Sequence, residues 1–236
     1  MERIIIDHED VLKMLDEWME KRDGEWWDHF YQDHARPIPF FSNVPDISLV
    51  KWLDVSKITP GRSLDIGCGN GRNTLYLAMQ GWQATGIDIS NEAIGWAKQL
   101  DSHQQAHYQC TSLEKYEDHP HTYDLILDSG CFHHIKPHRR QDYLTRIQTL
   151  LKPEGYFLMT CFNMKEGAPI TDEQVYLDRS MHGGMGFTRL KLETILTHYF
   201  TILDIHEMEA TDDPAYFGQD FLWVILMKQK EETTHE

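Results

Sequence analysis

Long apolar runs are missing from this chain. The longest candidate, Phe221 to Met227, is only of strand length, whereas a membrane-spanning helix needs about 18–20 apolar residues. The opening residues hold just the apolar triplet Ile4-Ile5-Ile6, too short for the core of a secretory signal. Positive charge is also scarce: 22 Lys and Arg stand against 38 Asp and Glu, and 22 − 38 gives −16. A surplus of acid argues against a nucleic-acid partner, which needs its phosphates neutralised, and against an anionic membrane surface. The four cysteines (Cys68, Cys110, Cys131, Cys161) are too widely and unevenly spaced for a disulfide framework or a zinc knuckle. Reduced thiols in a cytoplasmic protein are the expectation. Histidines number 14, but none falls in a ligand spacing such as H-E-x-x-H, so no metal site is expected.

What is present is the balance of a folded domain. The 236 residues are 41% hydrophobic and 25% charged, enough to bury one α/β core, with or without a small cap, and no staple. Residues 7–22 carry apolar side chains at helical spacing. An aromatic stretch follows, Trp26-Trp27-Asp28-His29-Phe30-Tyr31, and then Arg36 to Phe41, where two prolines forbid a regular helix. A short helix is expected over 45–55. From Arg62 strands and helices alternate. Strands are expected at 63–66, 84–87, 106–110, 123–128, 155–162, 201–206 and 221–227. Helices are expected at 72–80, 91–100, 138–151 and 188–200. Such alternation predicts a seven-stranded, mostly parallel, doubly wound sheet. The last two strands lack an intervening helix, so the last should be antiparallel. The division we expect is a helical lid over residues 1–60 and a core domain over 61–230, with a polar tail that frays after Lys228.

One loop carries the strongest chemical signal. Asp65-Ile66-Gly67-Cys68-Gly69-Asn70-Gly71-Arg72 leaves a strand and opens a helix, where glycines let a ligand approach the backbone. A dinucleotide turn would place its third glycine where Arg72 stands. Asp65 at the strand end should repel a diphosphate and attract an ammonium or sulfonium. Asp88 ends the second strand and can accept both hydroxyls of an unphosphorylated ribose.

These residues, with Gly86-Ile87-Asp88-Ile89-Ser90, Tyr123 to Ile135 and the Leu151-Lys152-Pro153-Glu154-Gly155-Tyr156 step, resemble the consecutive signatures of class I S-adenosylmethionine-dependent methyltransferases. The resemblance covers about Gly61 to Phe162. It implies the Rossmann-like methyltransferase fold, S-adenosylmethionine as cofactor and S-adenosylhomocysteine as product. Gly67, Cys68, Gly69 and Gly71 would then run under the methionine part, with Asp65 facing its amino group. Asp88 would hold the ribose and Ile89 would pack on the adenine. Thr111, Ser112 and Leu113 stand where the family often has an adenine-binding Asp. Asp128 and Ser129 would lie beside the methionine part. The amino-terminal aromatics look like the lid of small-molecule methyltransferases of the thiopurine and tellurite-resistance kind. Tyr31 would reach the cofactor, and Trp27, Phe40 and Phe41 the acceptor.

If the acceptor must lose a proton, His133, His134 and His29 are the candidate bases. Met181 to Phe187, three glycines among methionines, reads as a mobile loop that brings Met185 and Phe187 to the acceptor; a plain turn before a helix is the other reading. The expected function is in-line methyl transfer to a small molecule with a sulfur, nitrogen or oxygen nucleophile, by a monomer or homodimer. A macromolecular acceptor and a non-catalytic cofactor-binding protein remain as alternatives. A nicotinamide dehydrogenase is disfavoured by Asp65 and Arg72.

Overall fold

In the computed structural model, which describes residues 4–56 and 58–230, parallel strands alternate with helices as the sequence pattern requires. The strands are β1 (Arg62–Ile66), β2 (Gln83–Asp88), β3 (His107–Cys110), β4 (Tyr123–Ser129), β5 (Leu151–Phe162), β6 (Phe200–Glu207) and β7 (Leu222–Gln229). They form one seven-stranded sheet in the order β3-β2-β1-β4-β5-β7-β6. Only β7 runs antiparallel to its neighbours β5 and β6, as expected from the missing crossover helix. The polar tail lies outside the described residues from position 231 on.

The central strands are apolar on both faces because helices cover both. Successive residues point to opposite sides. Ile126, Phe157 and Met159 therefore pack with Leu144, Ile147, Leu192 and Leu196 of α6 (Arg140–Leu150) and α8 (Arg189–Leu196). Leu125, Leu127 and Leu158 pack with Leu49 of α3 (Ile47–Ser56) and Leu77 of α4 (Arg72–Met79). β5 begins at Leu151, earlier than expected. Pro153 is tolerated there because the register with β4 shifts between Tyr123 and Leu125, and a bulge needs no ladder donor.

Two helices were not foreseen. The aromatic stretch forms α2 (Gly24–Tyr31), started by Asp23, whose carboxylate accepts the Trp26 amide. The second is α7 (Asp172–Asp178), opened by a reciprocal Thr171–Gln174 capping box. α1 (His8–Trp18) is shorter than predicted and gives way to extended backbone at Met19. Helix α2 then docks on α5 (Asn91–Leu100): the Asp28 carboxylate accepts the Ser90 hydroxyl at 2.6 Å and the Glu92 amide at 3.1 Å. A single 3₁₀ turn, Pro39–Phe41, follows. The neighbouring central strands β1 and β4 leave a crevice at their carboxyl ends where the strand order reverses, the usual ligand position in open α/β sheets. Among the described residues no helix is long and apolar enough to cross a membrane, and no three His, Cys, Asp or Glu side chains are grouped to hold a metal ion.

Candidate active site

A cavity of about 610 Å³ opens at that crevice. Its floor is the loop after β1. Gly67 and Gly69 sit at φ +63° and +55°, left-handed values that side chains rarely adopt. A Cβ on Gly67 would come within 1.9 Å of the Cys131 Sγ, and one on Gly69 within 2.9 Å of the Tyr31 hydroxyl. Only glycine lets the loop thread between the β4 end and the lid.

Asp88 is the fixed acid of the cavity. Its carboxylate accepts the Gly69 amide at 3.0 Å and the Ser90 amide at 2.9 Å. Burial pushes its pKa up to about 6 against the pull of those amides. Each carboxylate oxygen keeps a lone pair for a ligand. Ile89, Thr111, Ser112 and Leu113 line the cavity beside it. Gly67, Gly69, Ser129 and Tyr31 line it as well, as do Trp27, Phe40, His133 and His134 at the other end.

The remaining expectations are corrected by burial. Asp65 is 2% exposed and lies under the loop, where it accepts the Thr74 hydroxyl at 2.6 Å. Burial raises its pKa to about 7. It does not line the cavity directly. Asp128 is fully buried and braces the following turn by accepting the Cys131 amide at 2.7 Å and the Tyr143 hydroxyl at 2.8 Å. Cys68 packs behind the loop with Ile94, Ala97 and Tyr108. Gly71 caps α4 and faces Tyr108. Phe41 backs Tyr31 in the lid, 5.4 Å between ring centres. His29 points to solvent, donating from Nδ1 to its own helix at Glu25 O. Met185 and Phe187 are fully buried core residues. The segment around them is anchored at two points: Met185 donates its amide to His133 O, and Phe187 to Phe162 O.

Several cavity residues went unread. Arg72 lines the wall and is neutralised by Asp46, 2.6 Å away and 1% exposed. Asp46 also accepts the Ser129 hydroxyl at 2.6 Å and the Asn73 amide group at 3.0 Å. The segment before α3 is thereby tied to β4 and to the glycine-loop helix. Phe162 and Phe221 add aromatic wall. Phe217 does so too, under the Arg72 guanidinium at 4.4 Å. Asp46 left no sequence signal, because a Pro-Asp pair before an apolar run reads as a helix start.

Comparison with known proteins bears on the class of domain. Residues 64–155, from β1 into β5, match the family model described as a methyltransferase domain. Residues 64–155 are thus similar to a methyltransferase domain, as the motifs led us to expect. Among particular relatives, a ubiquinone biosynthesis O-methyltransferase of Burkholderia orbicola is 31% identical over 144 residues, which is 58% of this chain and 58% of that protein. The match therefore spans little more than half the relative's length. A solved structure of Burkholderia thailandensis 1,6-didemethyltoxoflavin-N1-methyltransferase, with 1,6-didemethyltoxoflavin and S-adenosylhomocysteine bound, shares the fold at a TM-score of 0.58 and 20% identity over 98% of this chain and 93% of that one. A structure from work on converting a disulfide bond into a thioacetal during echinomycin biosynthesis reaches 0.69 at 20% identity over 89% and 93%.

Proposed function

We propose that the protein transfers a methyl group from S-adenosylmethionine to a small-molecule acceptor. The observation that carries this is the single cavity with two unlike ends: a carboxylate fixed by two backbone amides beside a glycine loop, and an aromatic enclosure closed by the lid. The loop also argues against a diphosphate. Its Cys68, Gly69 and Gly71 amides are already spent on Ile87 O, the Asp88 carboxylate and Cys68 O, so they are not free to cradle phosphate oxygens.

The residues fit a nucleoside sulfonium. Asp88 would hold the ribose diol, Ile89 and Leu113 would pack on the adenine, with Thr111 and Ser112 at its edge, and Gly67, Gly69 and Ser129 would lie along the methionine part. Bound there, S-adenosylmethionine supplies a methyl group on a positively charged sulfur that is already a good leaving group. The chain's task is to align an acceptor and exclude water, and alignment is worth roughly 7–11 kcal/mol. Trp27, Tyr31 and Phe40 line the cavity, and a ring face favours a nearby cation by about 0.5–2 kcal/mol. Residues 1–60 act as a lid on the 61–230 core, held through Asp28 and Asp46. The net charge of −16 disfavours a nucleic-acid acceptor, and four free cysteines suit a reducing cytoplasm.

The test has two parts. Calorimetry should find binding of S-adenosylhomocysteine and none of NAD. Labelled S-adenosylmethionine should pass its label to small thiols, phenols or amines. Binding of NAD alone, or label appearing only in RNA or protein, sinks the reading.

A further inference from the structure

The two histidines after β4 differ in what their rings can do, and the difference narrows the acceptor. His133 is gripped on three sides. Its ring stacks on Phe162 with centres 3.7 Å apart and planes 17° apart. Its Nδ1 accepts the Phe162 amide at 3.3 Å. Gly184 closes the opposite edge, where a Cβ would come within 2.8 Å of Cδ2. A backbone amide can only donate, so Nδ1 is the bare nitrogen and Nε2 carries the proton of the neutral ring. Burial holds the ring's pKa well below its ordinary value, which preserves that neutral form at pH 7. The ring lines the cavity, and its Nε2 has no hydrogen-bond partner among the described residues. What it offers is a donor.

His134 does not replace it as a base. Its ring meets Trp27 edge-on at 5.1 Å and His133 at 4.3 Å. Burial, and then the charge of Arg22, push its pKa to about 4. The charged groups sharing its outer crevice are Lys21, Arg22 and Lys136, with Glu20 and Asp23. Glu20 accepts the Ser180 hydroxyl, and Asp23 caps α2. The carboxylates lining the main cavity are engaged or distant. Asp88 holds the glycine loop, Glu114 follows β3, and Asp16 and Asp142 bind Arg139. No carboxylate is hydrogen-bonded to either ring among the described residues.

Resting on the methyltransferase reading above, we propose that His133 donates Nε2–H to the acceptor atom and takes no proton from it. The acceptor is then an acidic sulfur or oxygen nucleophile, a thiol or a phenol, that reacts as its own anion. Its S–H or O–H proton passes to a buffer base in solvent. The lone pair left behind forms the new bond to the methyl carbon as the carbon–sulfonium bond breaks and its electron pair returns to that sulfur. An ammonium acceptor needs a base and a carboxylate partner, and the pair provides neither.

4-Nitrophenol and 4-nitrothiophenol test this, because their anions absorb visible light. With S-adenosylhomocysteine present, binding to the full chain should lower each probe's apparent pKa by about one unit, a tenfold enrichment of the anion. His133→Phe should abolish the shift. His133→Gln, whose amide N–H can stand where Nε2–H stood, should restore part of it. In turnover, the pH profile of kcat/KM should follow the ionisation of each acceptor and move when a more acidic one is used; the thiol and phenol arms tell which atom is preferred. A profile fixed at one pH for every acceptor, with the Gln variant as inert as Phe, makes His133 a base and overturns the proposal. So do turnover of amines alone and the absence of a probe shift in the unmodified protein. Should both variants misfold, the unmodified protein's profile and probe shift still decide. Calorimetry with S-adenosylhomocysteine separates the two levels: amine-only turnover with the ligand bound refutes this inference alone, whereas no binding refutes the methyltransferase reading beneath it.

Discussion

The two ends of the cavity are assembled by opposite means. At the Asp88 end the glycine loop and the acid itself come from one continuous stretch, Gly67 to Ile89, in which a turn, a helix and the next strand are fixed by local chemistry and strand register. The aromatic end gathers Trp27, Phe40, His133, Phe162 and Phe221 from five separate segments, and nothing local makes them neighbours. An end built locally can be read from spacing and should survive damage elsewhere. An end built from distant segments depends on the contacts that hold the segments together.

Asp46→Ala breaks the comparison most severely. It strips the partner from the buried Arg72 and frees Ser129 and Asn73, and an uncompensated buried charge costs about 3–5 kcal/mol. Thermal unfolding should shift down by about 10 °C, and acceptor turnover should suffer more than S-adenosylhomocysteine binding in the protein that stays folded. A midpoint within a degree of the parent would show that the lid is not tied at this point. Next comes Asp88→Ala, which damages the local end alone. Loss of hydrogen bonds to a charged group, about 1.5–3 kcal/mol, should weaken S-adenosylhomocysteine binding 10- to 100-fold by calorimetry. The carboxylate must be ionised to accept fully, so affinity in the parent should be flat above pH 7 and decline as pH falls through about 6. Affinity independent of pH there would remove Asp88 from the ribose.

Asp65→Asn should act in the other direction. The folded protein holds the Asp65 proton up to about pH 7, the unfolded chain only to its ordinary 3.8. The native state thus binds more protons in between, and stability falls as pH rises through that window. Asn keeps an acceptor for the Thr74 hydroxyl and carries no charge, so it should gain about 1–2 kcal/mol at pH 8 and nothing at pH 4. Denaturant midpoints at the two pH values check the sign, and equal midpoints at pH 8 would mean the acid is not held as described. His29→Ala should change turnover least of all, within twofold in a steady-state assay, since that ring bonds its own helix and points outward.

The sheet was almost wholly legible because short apolar runs alternate with helical patterns along the chain, which marks strands buried on both faces. Asp88 and the glycines were legible because a turn with positive φ leaves glycine behind and a strand end leaves its acid. Asp65 was misread for the same reason: it too is a strand-end acid, and only the Thr74 hydroxyl below it shows that it faces inward. Met185 and Phe187 looked like loop residues because three glycines flank them, yet their amides are bonded to His133 and Phe162 and their side chains complete the core. The helix α2 hid in a run of rings that no simple period describes.

Spacing, turn chemistry and composition were sufficient for the order of strands and helices, the class of domain and the acid at the second strand's end, since each of these is settled by residues close along the chain. Which acids line the cavity, how the segment before α3 is pinned through Asp46, and how the His133 ring is oriented were decided by tertiary packing, where one hydroxyl or one backbone amide fixes the direction of a side chain.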